Sequence, residues 1–239
     1  MTWFIPTLPL WVSILFLLVI PLPIYLIARL MSQGATAAYG SPTGQRVQSL
    51  VLVGYALFLA YATWGWSQGW YAEPGLPPRI LLYTTLPLLA VLLPGVFPWR
   101  YYRQVAQSLP VAEWVRLHRF RFIGSFFLLL FLFGELPPLI GIVAGTGDIL
   151  TAATSFWVAK QLKQNAPKAR RWAYVWNTFG LLDILATSAL ASMLTQRAMT
   201  TGSQGVEALA SFPFCFIPAF APATIIFLHL TIYRRLRQV

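Results

Sequence analysis

Stretches of about 20 apolar residues, the length an α-helix needs to cross roughly 30 Å of hydrocarbon, recur seven times along this chain. They cover residues 8–30, 48–66, 79–98, 115–136, 138–160, 172–195 and 212–233. Inside a bilayer every backbone N–H and C=O must be paired, and a helix does this within one segment. The pattern therefore predicts an all-α fold: a polytopic transmembrane bundle of seven helices, with residues 1–239 as a single transmembrane domain. Composition points the same way, because 58% of residues are hydrophobic, 10% are charged and mean hydropathy is +0.66. A water-soluble domain of this size carries far more charge. The connections are too short to hold a sizeable soluble domain, so function is expected in or at the membrane.

Charge then orients the bundle. The net charge is +11, from 17 Lys and Arg against 6 Asp and Glu, a balance that could suggest nucleic acid. The basic residues, however, lie in short clusters beside the apolar runs. Arg29 and Arg46, Arg100 to Arg121, Lys160 to Arg171 and Arg234 to Arg237 place 15 of the 17 on alternate connections, leaving Arg79 and Arg197 opposite. By the positive-inside rule the N-terminus is outside and the C-terminus cytoplasmic. No basic residue precedes Leu8, so the first run is expected to remain as a span and not to be cleaved as a signal peptide. Trp64, Trp66, Trp70 and Tyr71 on one side, and Trp99, Tyr101, Tyr102, Trp114 and Trp172 on the other, suit interfacial belts. A lone Cys215 excludes an intrachain disulfide and any multi-cysteine metal site.

Several features read as organisation. Glu135-Leu136-Pro137-Pro138 breaks one long apolar stretch and is expected to form an outer turn, with Pro138 in the first turn of the next helix, where its missing N–H costs nothing. The 30–47 segment, with Gly34, Gly40, Ser41, Pro42 and Gly44, reads as a flexible inner connection. Ala112 to Phe120 alternates apolar and basic residues like a helix entering from the interface. Pro213, Pro218 and Pro222 predict a kink in the last span and free carbonyls that need other partners.

The polar residues of the spans carry the functional signal. Asp148 lies 12 residues before Lys160, and Asp183 lies 12 residues after Arg171. At 1.5 Å per residue both carboxylates sit ~18 Å from the inner charges, level with each other near the midplane. Small residues around them, Gly145 and Gly147 near Asp148 and Gly180 near Asp183, let helices approach closely and exclude lipid. On this count no Lys or Arg shares their depth, so two facing acids would share a proton, or would bind a cation. Asn177 stands on the adjoining face. Glu135 is placed near the outer mouth, as an interfacial acid or a helix-terminus partner. His229, five residues before Arg234, is ~7.5 Å into the inner leaflet and offers a proton step between cytoplasm and acids. His118 falls among Arg116, Arg119 and Arg121 at the inner interface. Haem held by the two histidines would need an apolar housing that the surroundings of His118 lack.

Gly145-Thr146-Gly147-Asp148, then Trp176-Asn177-Thr178-Phe179-Gly180-Leu181-Leu182-Asp183, then Phe212-Pro213 with Pro218 and Pro222, resembles a group of bacterial multi-span membrane proteins to which no activity is attached. The resemblance runs from about Arg119 to His229 and implies a bacterial inner-membrane protein, with nothing about chemistry. A microbial rhodopsin is excluded, since no lysine lies in the seventh span to hold retinal. The expected function is an integral membrane protein whose Asp148, Asp183, Asn177, Glu135 and His229 bind or translocate a proton or small cationic solute. The alternative is a non-catalytic membrane subunit that binds a hydrophobic cofactor or lipid within a larger complex. An enzyme acting on lipid comes third, because no metal or nucleophile spacing supports it. Expected partners are the lipid bilayer and other membrane subunits, and no nucleic acid; no cofactor and no metal ligand set is assigned.

Overall fold

A computed structural model describes residues 3–238, and among them every regular element is helical. Five helices are long and apolar enough to cross a membrane: Leu10–Tyr39, Ser41–Ser67, Pro138–Lys163, Ala169–Thr201 and Phe216–Leu236. A sixth candidate joins Leu81–Val96 to Arg100–Gln107 through an 85° bend. Outward faces are apolar, with Leu18, Leu50 and Leu132 each more than 70% exposed, as suits surfaces that meet hydrocarbon and not water.

Leu10–Tyr39 consists of α1 (Leu10–Val19) running into α2 (Pro21–Tyr39), and only Gly40 separates α2 from α3 (Ser41–Ser67). Gly40 has φ 92°, a region that glycine enters without a Cβ penalty. The flexible connection expected over 30–47 is therefore corrected to two helices meeting at a one-residue hinge. The glycines that suggested a loop serve packing: a Cβ on Gly34 would come within 2.7 Å of Val105 O, and one on Gly44 would collide with Thr36.

The 81–96 segment is a short α4 (Leu86–Ala90) between π-helical turns Leu81–Thr85 and Val91–Val96. Pro87 and Pro94 lie within it, and because proline has no N–H to give the carbonyl four residues earlier, the segment departs from regular α-helical pairing. Beyond Pro98 the chain turns into α5 (Arg100–Gln107), which buries Tyr102, Val105 and Ala106 and exposes Arg100, Arg103 and Gln104. Next, α6 (Val111–Leu117), a 3-10 helix (His118–Gly124) and α7 (Ser125–Leu132) follow without a break. The helix over 112–120 starts at the end where Glu113 meets Lys163 and packs its apolar side into the bundle: Trp114 is fully buried and donates to Ala106 O at 3.3 Å.

The remaining elements are α8 (Pro138–Lys163), α9 (Ala169–Thr201) and α10 (Phe216–Leu236). Pro138 opens α8 as its first helical residue. Within α10, Pro222 cannot donate to the carbonyl four residues earlier. That carbonyl, Pro218 O, accepts a hydrogen bond from the Thr85 hydroxyl at 2.5 Å, which joins α10 to the π-turn. Thr85→Val should leave the buried carbonyl unpaired and cost about 1–3 kcal/mol, measured as a lower melting temperature in detergent; an unchanged melt would remove this bond from the list of constraints.

Contacts sort the ends of the bundle. At one end Trp3 packs on Trp66 and Phe212, and Gln204 Nε2 donates to Gly134 O at 2.7 Å. At the other, Lys163 Nζ meets Glu113 Oε1 at 2.6 Å, while Arg234 and Arg235 donate to Phe97 O and Leu109 O at 2.6 and 3.2 Å. The first described residue thus lies at an aromatic end, and the last helix finishes at a basic one.

Candidate functional site

The 3-10 helix between α6 and α7 builds the site. At 3.0 residues per turn, positions three apart eclipse one another. His118, Arg121 and Gly124 accordingly share one face, and all three are buried. The exposed or half-exposed Arg116 and Arg119 point elsewhere. On α8 the buried face runs Gly141, Ala144, Asp148, Thr151 and Ser155; on α9 it runs Ala173, Trp176, Asn177, Gly180 and Ile184. These i, i+3 and i, i+4 spacings form a helical stripe, and small residues let the three elements close in. A Cβ on Gly124 would collide with Asp148, one on Gly147 with Asp183, and one on Gly180 would come within 2.7 Å of His229 Cε1.

Arg121, whose side chain has no exposed surface, occupies the centre. Its Nε donates to Asp148 Oδ1 at 2.6 Å, and its Nη2 donates to Asp183 Oδ2. Nη1 donates to Gly180 O at 2.9 Å and faces His229 Nε2 at 3.3 Å. Both carboxylates are at most 9% exposed. The expectation that no cation shares their depth is therefore corrected: Asp148 and Asp183 do converge, but on a guanidinium. Arg121 thus separates from the neighbouring Arg116 and Arg119, which leaves 14 of the 17 basic residues on the basic side. Its signal lies in the three-residue spacing of His118, Arg121 and Gly124, which eclipses in a 3-10 helix but is offset at each step on a 3.6-residue period.

The second half of the network fixes one imidazole tautomer. His229 Nδ1 lies 2.8 Å from Asn177 Oδ1, while Asn177 Nδ2 donates to His229 O at 3.1 Å. With its Oδ1 accepting, Asn177 requires the proton on Nδ1 and leaves Nε2 as acceptor toward Arg121. His118, expected among Arg116, Arg119 and Arg121, is fully buried and faces inward, its ring centroid 4.3 Å from that of His229 and 5.2 Å from Trp176. The two imidazoles touch each other, so no macrocycle fits between them. Neither ring nitrogen of His118 has a hydrogen-bond partner, nor does Thr151 Oγ1. Trp176 Nε1 donates to Thr151 O at 3.1 Å and closes one side of the cluster.

Glu135 stands apart. It accepts from the Thr7 hydroxyl near the aromatic end and touches none of the other four residues expected to act with it. Among the described residues no group of His, Cys, Asp or Glu is arranged to hold a metal ion.

With both carboxylates ionised the cluster carries one positive and two negative charges, an excess of one negative charge in a buried layer. Taking up a single proton makes it neutral. This balance is the chemical capacity of the site.

A family model described as a domain of unknown function, DUF8737, matches residues 77–237, which include every residue of the cluster. No curated protein and no solved structure matches the chain. The match covers more than half of the sequence, and the chain belongs to that family.

Proposed function

We propose, with membership in this family as the premise, that the protein is a seven-helix integral protein of a bacterial inner membrane whose Arg121, Asp148, Asp183 and His229 network binds an exchangeable proton and passes it between interior and basic end. The observation that carries the reading is one guanidinium held against two buried carboxylates and one imidazole. A net charge at that depth is costly, and protonation of one acid is the simplest way to remove it. Arg121 also occupies the place that a bound cation would take between the aspartates, which favours the proton over a small cationic solute. His118, with both nitrogens unpartnered at the side of His229, is the next acceptor.

Topology supports the same reading. In this reading Leu81–Val96 and the helical run from Val111 to Leu132 are taken as two further crossings beside the five long helices. Seven crossings put the two termini on opposite sides, and the positive-inside rule makes the basic end cytoplasmic. A reporter fused after Gln238 should then read cytoplasmic.

Difference infrared spectroscopy of the reconstituted protein, titrated from acid to alkaline conditions, tests the proposal. A carboxylic acid C=O band should appear on acidification, and Asp148→Asn or Asp183→Asn should shift or remove it. In liposomes with an imposed pH gradient, the same variants should slow dissipation of the gradient relative to the wild type. A spectrum with no pH-dependent carboxylic acid band would overturn the reading.

A further inference from the structure

Two recesses adjoin near the basic end of the bundle. The larger, 610 Å3, lies among α2, α3, the 81–96 segment and α10, and its wall includes Leu50, Gly54, Leu57, Val91, Leu92 and Phe227. The few polar groups on it are engaged: Tyr55 OH with Thr224 Oγ1 at 2.9 Å, and Tyr102 OH with Thr231 Oγ1 at 2.6 Å. Leu50, Leu57 and Val91 are each more than half exposed, so the recess opens sideways, toward hydrocarbon in a bilayer. Its volume is that of a small-molecule site, about 300–1,000 Å3.

The smaller recess, 360 Å3, is lined by Arg100, Arg103, Arg234, Gln104, Gln107 and Gln238. Among the described residues it presents three guanidiniums and three amides and no side-chain carboxylate. Among the described residues the side-chain ion pairs engage Arg79, Arg121 and Lys163, so none of these three arginines has a side-chain carboxylate partner. The contrast is a second basic recess at the same end, where Arg29, Arg116 and Arg119 are accompanied by Glu113. A shared partition ties the first two recesses together. Tyr102 walls the apolar one and its neighbour Arg103 the basic one; Phe97 packs 6.1 Å from Phe227 and lies under the guanidinium of Arg234 at 3.4 Å. The 85° turn leads from the 81–96 segment into α5, which carries Arg100 and Arg103.

We infer that the paired recesses bind an anionic phospholipid, with its phosphate among Arg100, Arg103 and Arg234 and an acyl chain in the groove beside Gly54. Charge complementarity selects the head: guanidiniums with no side-chain carboxylate partner among the described residues, in a concavity with amide donors, suit phosphate oxygens, and basic sites between helices at the cytoplasmic face recruit anionic lipid. The groove selects the tail, since an apolar recess open to hydrocarbon gains nothing from a polar occupant. The inference rests on the membrane-spanning reading and not on the proton network, so Asp183→Asn should bind lipid as the wild type does.

The test is native mass spectrometry of the delipidated full chain offered phosphatidylglycerol, phosphatidylcholine or inorganic phosphate. Phosphatidylglycerol should be retained in preference to phosphatidylcholine. Arg100→Gln with Arg103→Gln, both exposed, should weaken its retention roughly 25-fold, at about five-fold for each arginine near the surface. Arg29→Gln with Arg116→Gln, in the recess that holds Glu113, should leave it unchanged. Gly54→Phe should reduce phospholipid retention without lowering phosphate binding, and because a Cβ at Gly54 meets nothing within 4 Å this variant should fold. Equal retention of the two phospholipids, or equal loss from both arginine pairs, would show only a general attraction to the basic end and overturn the site. Full competition by inorganic phosphate together with an inert Gly54→Phe would assign the pocket to free phosphate and overturn the lipid.

Discussion

Arg121→Met should abolish accumulation of folded protein, the largest effect expected of any single substitution in this chain. The guanidinium bonds Asp148, Asp183 and Gly180 O and faces His229, and methionine matches its length while supplying no donor and no charge. Two buried carboxylates would then be left against each other. Removing one partner from a buried ion pair costs about 3–5 kcal/mol, a large share of the roughly 5–15 kcal/mol by which folded domains are stable, and here one partner serves two acids. Fluorescence-detected size-exclusion chromatography should show loss of the monodisperse peak. The loss should be reversible by design: Arg121→Met combined with Asp148→Asn and Asp183→Asn deletes all three charges, and replacing a complete buried ionic group by neutral residues is often tolerated. Recovery of the peak in the triple variant separates charge imbalance from simple loss of packing. A monodisperse single variant melting like the wild type would remove Arg121 from the centre of the site.

The uneven legibility of this site in the sequence follows from helix geometry. Asp148 and Asp183 could be levelled by counting residues because α8 and α9 are unbroken over 26 and 33 residues, and an unbroken helix rises 1.5 Å per residue. Asn177 and His229 follow from the same regularity. Arg121 escaped because a 3-10 segment re-aims its side chain within a cluster of three arginines that otherwise resembles an interface; composition cannot distinguish Arg121 from Arg119, but backbone pitch does. Gly34 and Gly44 misled for the opposite reason, since glycine marks both turns and close approaches, and only the neighbouring Val105 and Thr36 decide between them. Glu135, expected near the outer mouth from its position before Pro137 and Pro138, lies there and apart from the aspartates. Its placement beside Thr7 depends on how the first helix returns to the Pro137 turn, a long-range contact that no local pattern encodes.

Charge parity sets the second large effect, and it runs against the intuition that two losses are worse than one in proportion. Asp183→Asn leaves one guanidinium against one carboxylate, a neutral pair whose amide neighbour still accepts a hydrogen bond. Asp148→Asn does the same from the other side. Each single variant should therefore melt at or above the temperature of the wild type while losing the titrating carboxylic acid band. The double variant leaves Arg121 as an unpaired buried cation and should be destabilised by about 3–5 kcal/mol. The expected double-mutant cycle is strongly non-additive, as it must be when two residues share one partner within hydrogen-bond distance. Thermal melts of the four proteins in one detergent give the coupling directly. Additive losses, with each single variant destabilised by about half of the double, would mean that the aspartates act independently; a double variant as stable as either single would mean that Arg121 needs neither. Only a near-neutral pair of singles with a damaged double fits a guanidinium that must keep one negative charge and whose second carboxylate is free to take up a proton.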